Sequence, residues 1–496
     1  MLAFVLLGAV ASGLALLWAL RRHAAATIKY TNAIIVGVPL LVALIALFSA
    51  PFPLGLMPAA LPLAYAGVMY LIVRGYRAHF GLCARLFSTA ATVLNDQPGL
   101  AWAAMGIKAA LLAACATLTV ACFAAALNGG FVLRYKEANV EANILVLANT
   151  PPGSAVRPAV PAPPETVPYC AFETDKWAKA YITFTSLLLS WLACAAFQLR
   201  RWVGASVAAQ WWATRAETSV ALAGAHTAVS GSSTAPRATS VALRHGLGAG
   251  AGTIAFAGLV LFVMESIKKA GTKKPSGRSK GGPNVAVMVL WCLFMLAKWI
   301  FAELMEYLTD KATMVAAISG APLIASGRRA VSILKPHLGA ALATWAIPGT
   351  VLGLMTLTLS MASSAMASVW AYGAAAATAK ATGVQWPLTM VGAFSAAIAF
   401  FASLVLNLIV LSFFTDIILN LLDALFLLAA SETSPENLLY STGPDSPSWN
   451  GGASAGGPTG EKAVLLQAVA AMVPEETRKE REEKLAAQRA HLATAI

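Results

Sequence analysis

The sequence predicts an all-α fold, a polytopic transmembrane helix bundle of about nine spans with additional interfacial helices, and three observations predict it. Hydrophobic residues make up 58% of the 496-residue chain and charged residues only 11%, where ordinary soluble domains carry roughly a quarter charged residues. The mean hydropathy is +0.70. Apolar runs of roughly 20 residues, enough to cross about 30 Å of hydrocarbon, recur along the chain and exclude one soluble core with a single anchor. In lipid each backbone polar group needs an internal partner, which helices supply within one segment.

The spans are drawn at 2–20, 32–50, 54–73, 100–127, 178–199, 249–267, 284–307, 338–362 and 387–413. The first begins at Met1 without a basic lead and is followed by Arg21 and Arg22. It reads as an uncleaved span with its start outside rather than as a signal peptide. After the third span, "RAHFGLCARLFSTAATVLNDQPG" mixes apolar and basic residues, as does "TDKATMVAAISGAPLIASGRRAVSILKPH" after the seventh. Both are expected to be amphipathic helices lying in the interface. Residues 128–176 form a polar, Pro-rich loop, and 431–460 is Ser/Gly/Pro-rich and expected to be disordered. Residues 461–492 read as a charged, solvated helix broken near Pro474. The chain thus divides into a transmembrane domain, 1–430, and a tail, 431–496, disordered and then helical.

Arg21, Arg22 and Lys29, then Arg74, Arg77 and Arg85, then Arg200, Arg201 and Arg215, and finally Arg328, Arg329 and Lys335 all fall on one side together with the C-terminus. The positive-inside rule makes that side cytoplasmic. One loop disagrees: "KKAGTKKPSGRSKGG", Lys268 to Gly282, is strongly basic yet falls outside. Either a span is miscounted or the loop binds anionic lipid or a partner. The net charge of +13 sits at the ends of apolar runs rather than in one patch with interleaved aromatics, so membrane lipid is an expected partner and nucleic acid is not. Cys115, Cys122, Cys194 and Cys292 lie in apolar runs, Cys83 in a connector and Cys170 in the polar loop. They form neither a disulfide framework nor zinc spacing. With no Walker loop, HExxH or nucleophile elbow, no metal, cofactor or enzyme activity is expected.

Three stretches bear on function. "LRHGLGAGAGTIAFAGLVLFVMESIK", Leu243 to Lys268, resembles a span of the choline transporter-like family through Gly252, Ala255, Phe256 and Leu259. "LTDKATMVAAISGAPLIASGRRAVSIL" is similar to a second family motif through Ala312, Ala316, Ile318, Gly320, Ser326, Arg328 and Ala330. "LLDALFLLAASE" resembles the family's ending through Asp423, Leu425 and Phe426, and weaker echoes are "VGASVAAQWW" and "ATVLNDQPGL". The echoes keep the family's order from about residue 90 to 432. Departures are Thr313 in place of Tyr, Leu323-Ile324 in place of Phe-Cys, Gly327 in place of Ala, and the acidic Glu303 and Glu306 where Lys is common. The family pattern has ten spans, so its usual first span reads as missing here. The resemblance implies movement of choline or a related small organic cation, in some members against protons, with the plasma membrane favoured over an organelle membrane.

A quaternary ammonium donates no hydrogen bonds, so its site needs aromatic faces and a carboxylate. Trp191, Trp291, Trp299 and Trp345 lie within spans and are the substrate-binding candidates, with lipid contact or helix packing as their alternative role. Trp102, Trp211, Trp212, Trp370 and Trp386 sit near span ends, as an interfacial belt does. At about 100° per residue Trp299, Glu303 and Glu306 fall within roughly 60° of one another on one helix face. An unpaired charge at the bilayer centre costs several kcal/mol, so intramembrane acids mark a path unless they reach the headgroups. Glu303 therefore joins the substrate candidates, while a structural ion pair is the expected role of Lys298. Gly246, Gly248, Gly250 and Gly252 form a ladder of small-xxx-small spacings that permits close helix contact or an unwound span entrance. The rival reading is a non-transporting membrane scaffold that keeps the family fold as a subunit beside membrane protein partners.

Overall fold

The computed structural model describes residues 2–49, 56–137, 166–224, 235–269, 285–382, 388–433, 465 and 469. The middle of the Pro-rich loop, most of the basic loop 268–282 and nearly all of the tail 431–496 lie outside the described residues. Helices dominate: α1 (Leu2–Ser49), α2 (Leu56–Gly75), α3 (Phe80–Asp96), α4 (Gly99–Ala126), α5 (Lys176–Gly224), α6 (Ala235–Leu247), α7 (Ala251–Lys269), α8 (Val285–Ser319), α9 (Leu323–Leu334), α10 (Leu338–Thr382) and α11 (Leu388–Thr433). Among the described residues six stretches are long and apolar enough to cross a membrane: Leu7–Phe48, Gly99–Ala126, Lys176–Thr214, Ala251–Lys269, Leu323–Thr378 and Gly392–Glu432, with a shorter apolar helix at Ala60–Gly75. The first two expected spans share α1, which is broken at His23 (φ −129°, ψ 26°) directly after Arg21 and Arg22.

The chain divides into two compact units. The smaller, Lys108–Ala193, holds the end of α4, the start of α5 and an antiparallel hairpin of β1 (Gly129–Glu137) and β2 (Thr166–Thr174). Its register pairs Gly129 with Thr174 and Glu137 with Thr166. The expected loop 128–176 therefore has a paired base. "FVLRY" and "TVPYCAF" are rich in β-branched and aromatic residues, which suit a pleated surface. Glycine at position 129 is required there, because a β-carbon would fall 2.2 Å from the Glu173 carbonyl oxygen.

The larger unit, Met1–Ile107 with Cys194–Ile496, contains the core. It is densest where α3, the 203–212 stretch of α5, the 311–316 stretch of α8 and the 417–430 stretch of α11 meet, around Phe87, Met314, Ile418 and Phe426. Leu465 and Val469, four residues apart, are buried in the same core, so these two side chains are packed rather than solvated. Elsewhere large apolar side chains point outward, among them Phe294, Met366 and Phe394. This suits helices whose solvent is lipid. α8 stops at Gly320, whose φ of +70° favours a residue without a β-carbon and whose N–H bonds the Ala316 carbonyl at 2.8 Å. Pro322 then starts α9, which buries Ser326, Ala330, Ile333 and Leu334 on one face.

Candidate functional site

Three helices carry charge into the densest part of the core. Arg200 and Arg201 are adjacent on α5, so their side chains diverge by about 100°. Arg200 pairs with Asp416 of α11 at 3.0 Å. Arg201 pairs with Asp310 of α8, whose carboxylate also accepts a hydrogen bond from Gln198 at 2.9 Å. The next residue on α8, Lys311, turns toward α11 and places its Nζ 2.6 Å from Asp423 Oδ1. Asp416 and Asp423 stand seven residues apart, two turns along one face of α11. The three pairs of this belt set three cations against three carboxylates, with Lys311 and Arg200 the most buried of them and Asp416 still 36% exposed.

The Lys311 end of the belt has the chemistry of a cation site. Its side chain is 2% exposed and its ammonium sits 4.9 Å from the centroid of the Tyr307 ring, within the range of a cation–π contact. Trp345 of α10 meets Tyr307 edge-on with centroids 6.4 Å apart. The Tyr307 hydroxyl is buried with no hydrogen-bond partner among the described residues. An aromatic face and a carboxylate thus flank one positive charge.

A second cluster joins α7 and α8. Lys268 Nζ lies 2.8 Å from Glu303 Oε2 and 2.6 Å from Glu306 Oε2. One ammonium therefore holds both glutamates of the stretch "AKWIFAELMEYLTDK". Near the ends of α3 and α11, the Trp211 indole donates to Asp96 at 3.0 Å and the Trp212 indole to Glu432 at 2.7 Å. Outside the membrane-crossing stretches, burial lowers the pKa of His79 and pushes the Cys83 thiol up to about 12.

Of the candidates read from the sequence, Asp423 lies in the Lys311 cluster and Trp345 on its rim through Tyr307. Trp299 and Trp345 are 53% and 49% exposed, so neither ring is enclosed by protein. Trp291 is half-buried on α8, Trp191 is half-buried in the smaller unit, and Glu303 faces Lys268. Among the motif residues, Gly252 has open space where a β-carbon would stand and Phe256 is half-exposed. Gly320 ends α8, Arg328 is exposed, and the buried Ser326 hydroxyl bonds the Ala321 carbonyl at 3.2 Å. Tyr307, Asp310 and Lys311 were missed as site residues. Their signal is an acid and a base side by side one turn after a tyrosine, at the end of an apolar run.

Several long apolar helices with outward-facing apolar side chains around a belt of paired charges define an integral, multi-pass membrane protein. The family signature described as "Plasma-membrane choline transporter" matches residues 60–434. The chain belongs to the choline transporter-like family, a family of membrane transporters and not of enzymes. No curated protein gives a significant match to the chain.

Proposed function

We propose that the chain carries choline or a related small organic cation across the plasma membrane, and that the cation binds against Tyr307 and Asp423. The single observation that carries this reading is the Lys311 ammonium held by an aromatic face at 4.9 Å and a carboxylate at 2.6 Å. Those two contacts are what a quaternary ammonium can use, because it offers charge and no N–H. Lys311 then acts as a tethered stand-in: it neutralises Asp423 when no substrate is present and yields its place when one binds.

In this reading the nine-span topology holds, with the C-terminus cytoplasmic, residues 1–430 as the transporting domain and 431–496 as its tail. Trp299, Trp291, Trp191 and Trp345, with Glu303, would line stages of the route on either side of the charged belt. The scaffold alternative draws on the closely packed Leu and Ala side chains of α11 around Leu421, Leu422 and Ala424. Uptake of labelled choline into liposomes containing the purified chain, against empty liposomes and across an imposed proton gradient, tests the proposal. Saturable uptake supports a carrier, and its absence from well-folded protein supports the scaffold.

A further inference from the structure

The helices α10 and α11 run antiparallel along a seam fixed at two heights. At one, the hydroxyls of Thr356 and Thr415 hydrogen-bond at 2.9 Å. At the other, Ser395 Oγ donates to the Ala371 carbonyl at 3.5 Å, and the Tyr372 ring occupies the space where a β-carbon on Gly392 would stand. Between those heights, steps of three or four residues carry Ser360, Ser364 and Ala367 along the α10 face and Leu411, Asn407, Ser403 and Ala399 along the α11 face. All of them are buried, with Ser360, Ser364 and Asn407 at 0% exposure.

A polar seam between apolar helices is costly unless its groups are paired. Most pair locally. Ser364 Oγ donates to the Ser360 carbonyl at 2.6 Å, and Asn407 Nδ2 donates to the Ser403 carbonyl at 2.8 Å and reaches Ser403 Oγ at 3.0 Å. Because a carbonyl oxygen only accepts, these contacts fix the amide orientation. Asn407 Oδ1 is therefore an acceptor, and both it and Ser360 Oγ are buried without a partner among the described residues.

We propose that this seam is a binding site for the hydroxyl or N–H donor of a small amino alcohol, with Asn407 Oδ1 accepting and the Ser360 hydroxyl completing the pair. The inference rests on the transport reading above and deepens it. Asn407 precedes Asp423 by 16 residues on α11, or about 24 Å of helix, so the seam is a separate station from the Tyr307 site. The Tyr307 site recognises positive charge, and the seam recognises a donor. A buried acceptor left unpaired by a ligand without a donor discriminates against that ligand.

The test is ligand-induced thermal stabilisation of the full chain in nanodiscs by ethanolamine, choline and tetramethylammonium, which offer an N–H and a hydroxyl, a hydroxyl only, and no donor. Tetramethylammonium should need about ten times the choline concentration for equal stabilisation. Asn407→Leu removes the orphaned acceptor at similar volume, so it should leave the unliganded protein no less stable while bringing that ratio close to one. Ser360→Ala, a smaller change, should lower the ratio in part. An unchanged ratio in Asn407→Leu, equal stabilisation by all three compounds in the parent chain, or stabilisation by none overturns the proposal. Choline uptake combined with a ratio insensitive to Asn407 removes the seam and leaves the carrier standing. A ratio that depends on Asn407 without uptake leaves a binding site and removes the carrier.

Discussion

A β-carbon placed on Gly258 would lie 2.8 Å from the Cα and backbone nitrogen of Ala195, so α7 and α5 touch backbone to backbone at that level. Such contact is how helices associate when lipid tails offer no hydrophobic contrast. Gly258→Ala should lower the thermal unfolding temperature in detergent, with a cost of about 1–3 kcal/mol, because backbone cannot yield as a side chain can. Gly252→Ala, with open space around it, should be neutral or slightly stabilising, since alanine favours helix. Equal effects at the two positions would contradict the packing described.

Lys268 serves Glu303 and Glu306 together. Removing it as Lys268→Met leaves two carboxylates one turn apart with their shared counter-charge gone, and should destabilise the protein by more than about 1 kcal/mol. Glu306→Gln should cost less, because Glu303 retains its partner. Thermal unfolding of the two variants side by side checks the order.

Cys83 is fully buried and its thiol is pushed up to about 12. The thiolate is the reactive form, so a water-soluble maleimide at about pH 8 should leave Cys83 unmodified in the folded chain and modify it after denaturation. Cys170, exposed on β2, should react in both states. Peptide mass mapping distinguishes the two sites.

The apolar runs drawn as spans overlap helices because an apolar run of about 20 residues admits little else in lipid, and among the described residues six stretches are long and apolar enough to cross a membrane, with Ala60–Gly75 a shorter apolar helix. Less legible were features that depend on distant partners. The hairpin pairs residues 45 apart at its base, Gly129 with Thr174, across a Pro-rich stretch whose composition reads as loop. The reading of Lys268 as outside and of Glu303 as on a substrate path or at the cytoplasmic headgroups gave no hint that they meet at 2.8 Å. Asp423 was legible through its motif. Its partner Lys311 was not, because a lysine at the end of an apolar run reads as a snorkelling residue until α11 is seen to cover it.

The central claim is that Asp423 and the Tyr307 face bind the transported cation while Lys311 stands in for it. The most direct measurement is the KM for choline uptake into liposomes by the parent chain, Asp423→Asn and Lys311→Met, each first shown to be folded by thermal unfolding. The account predicts that Asp423→Asn raises KM by about tenfold or more, the worth of one charge-assisted contact. Lys311→Met should leave KM unchanged or lower it, because the competing ammonium is gone. An unchanged KM in Asp423→Asn, or the same rise in both variants, would contradict it.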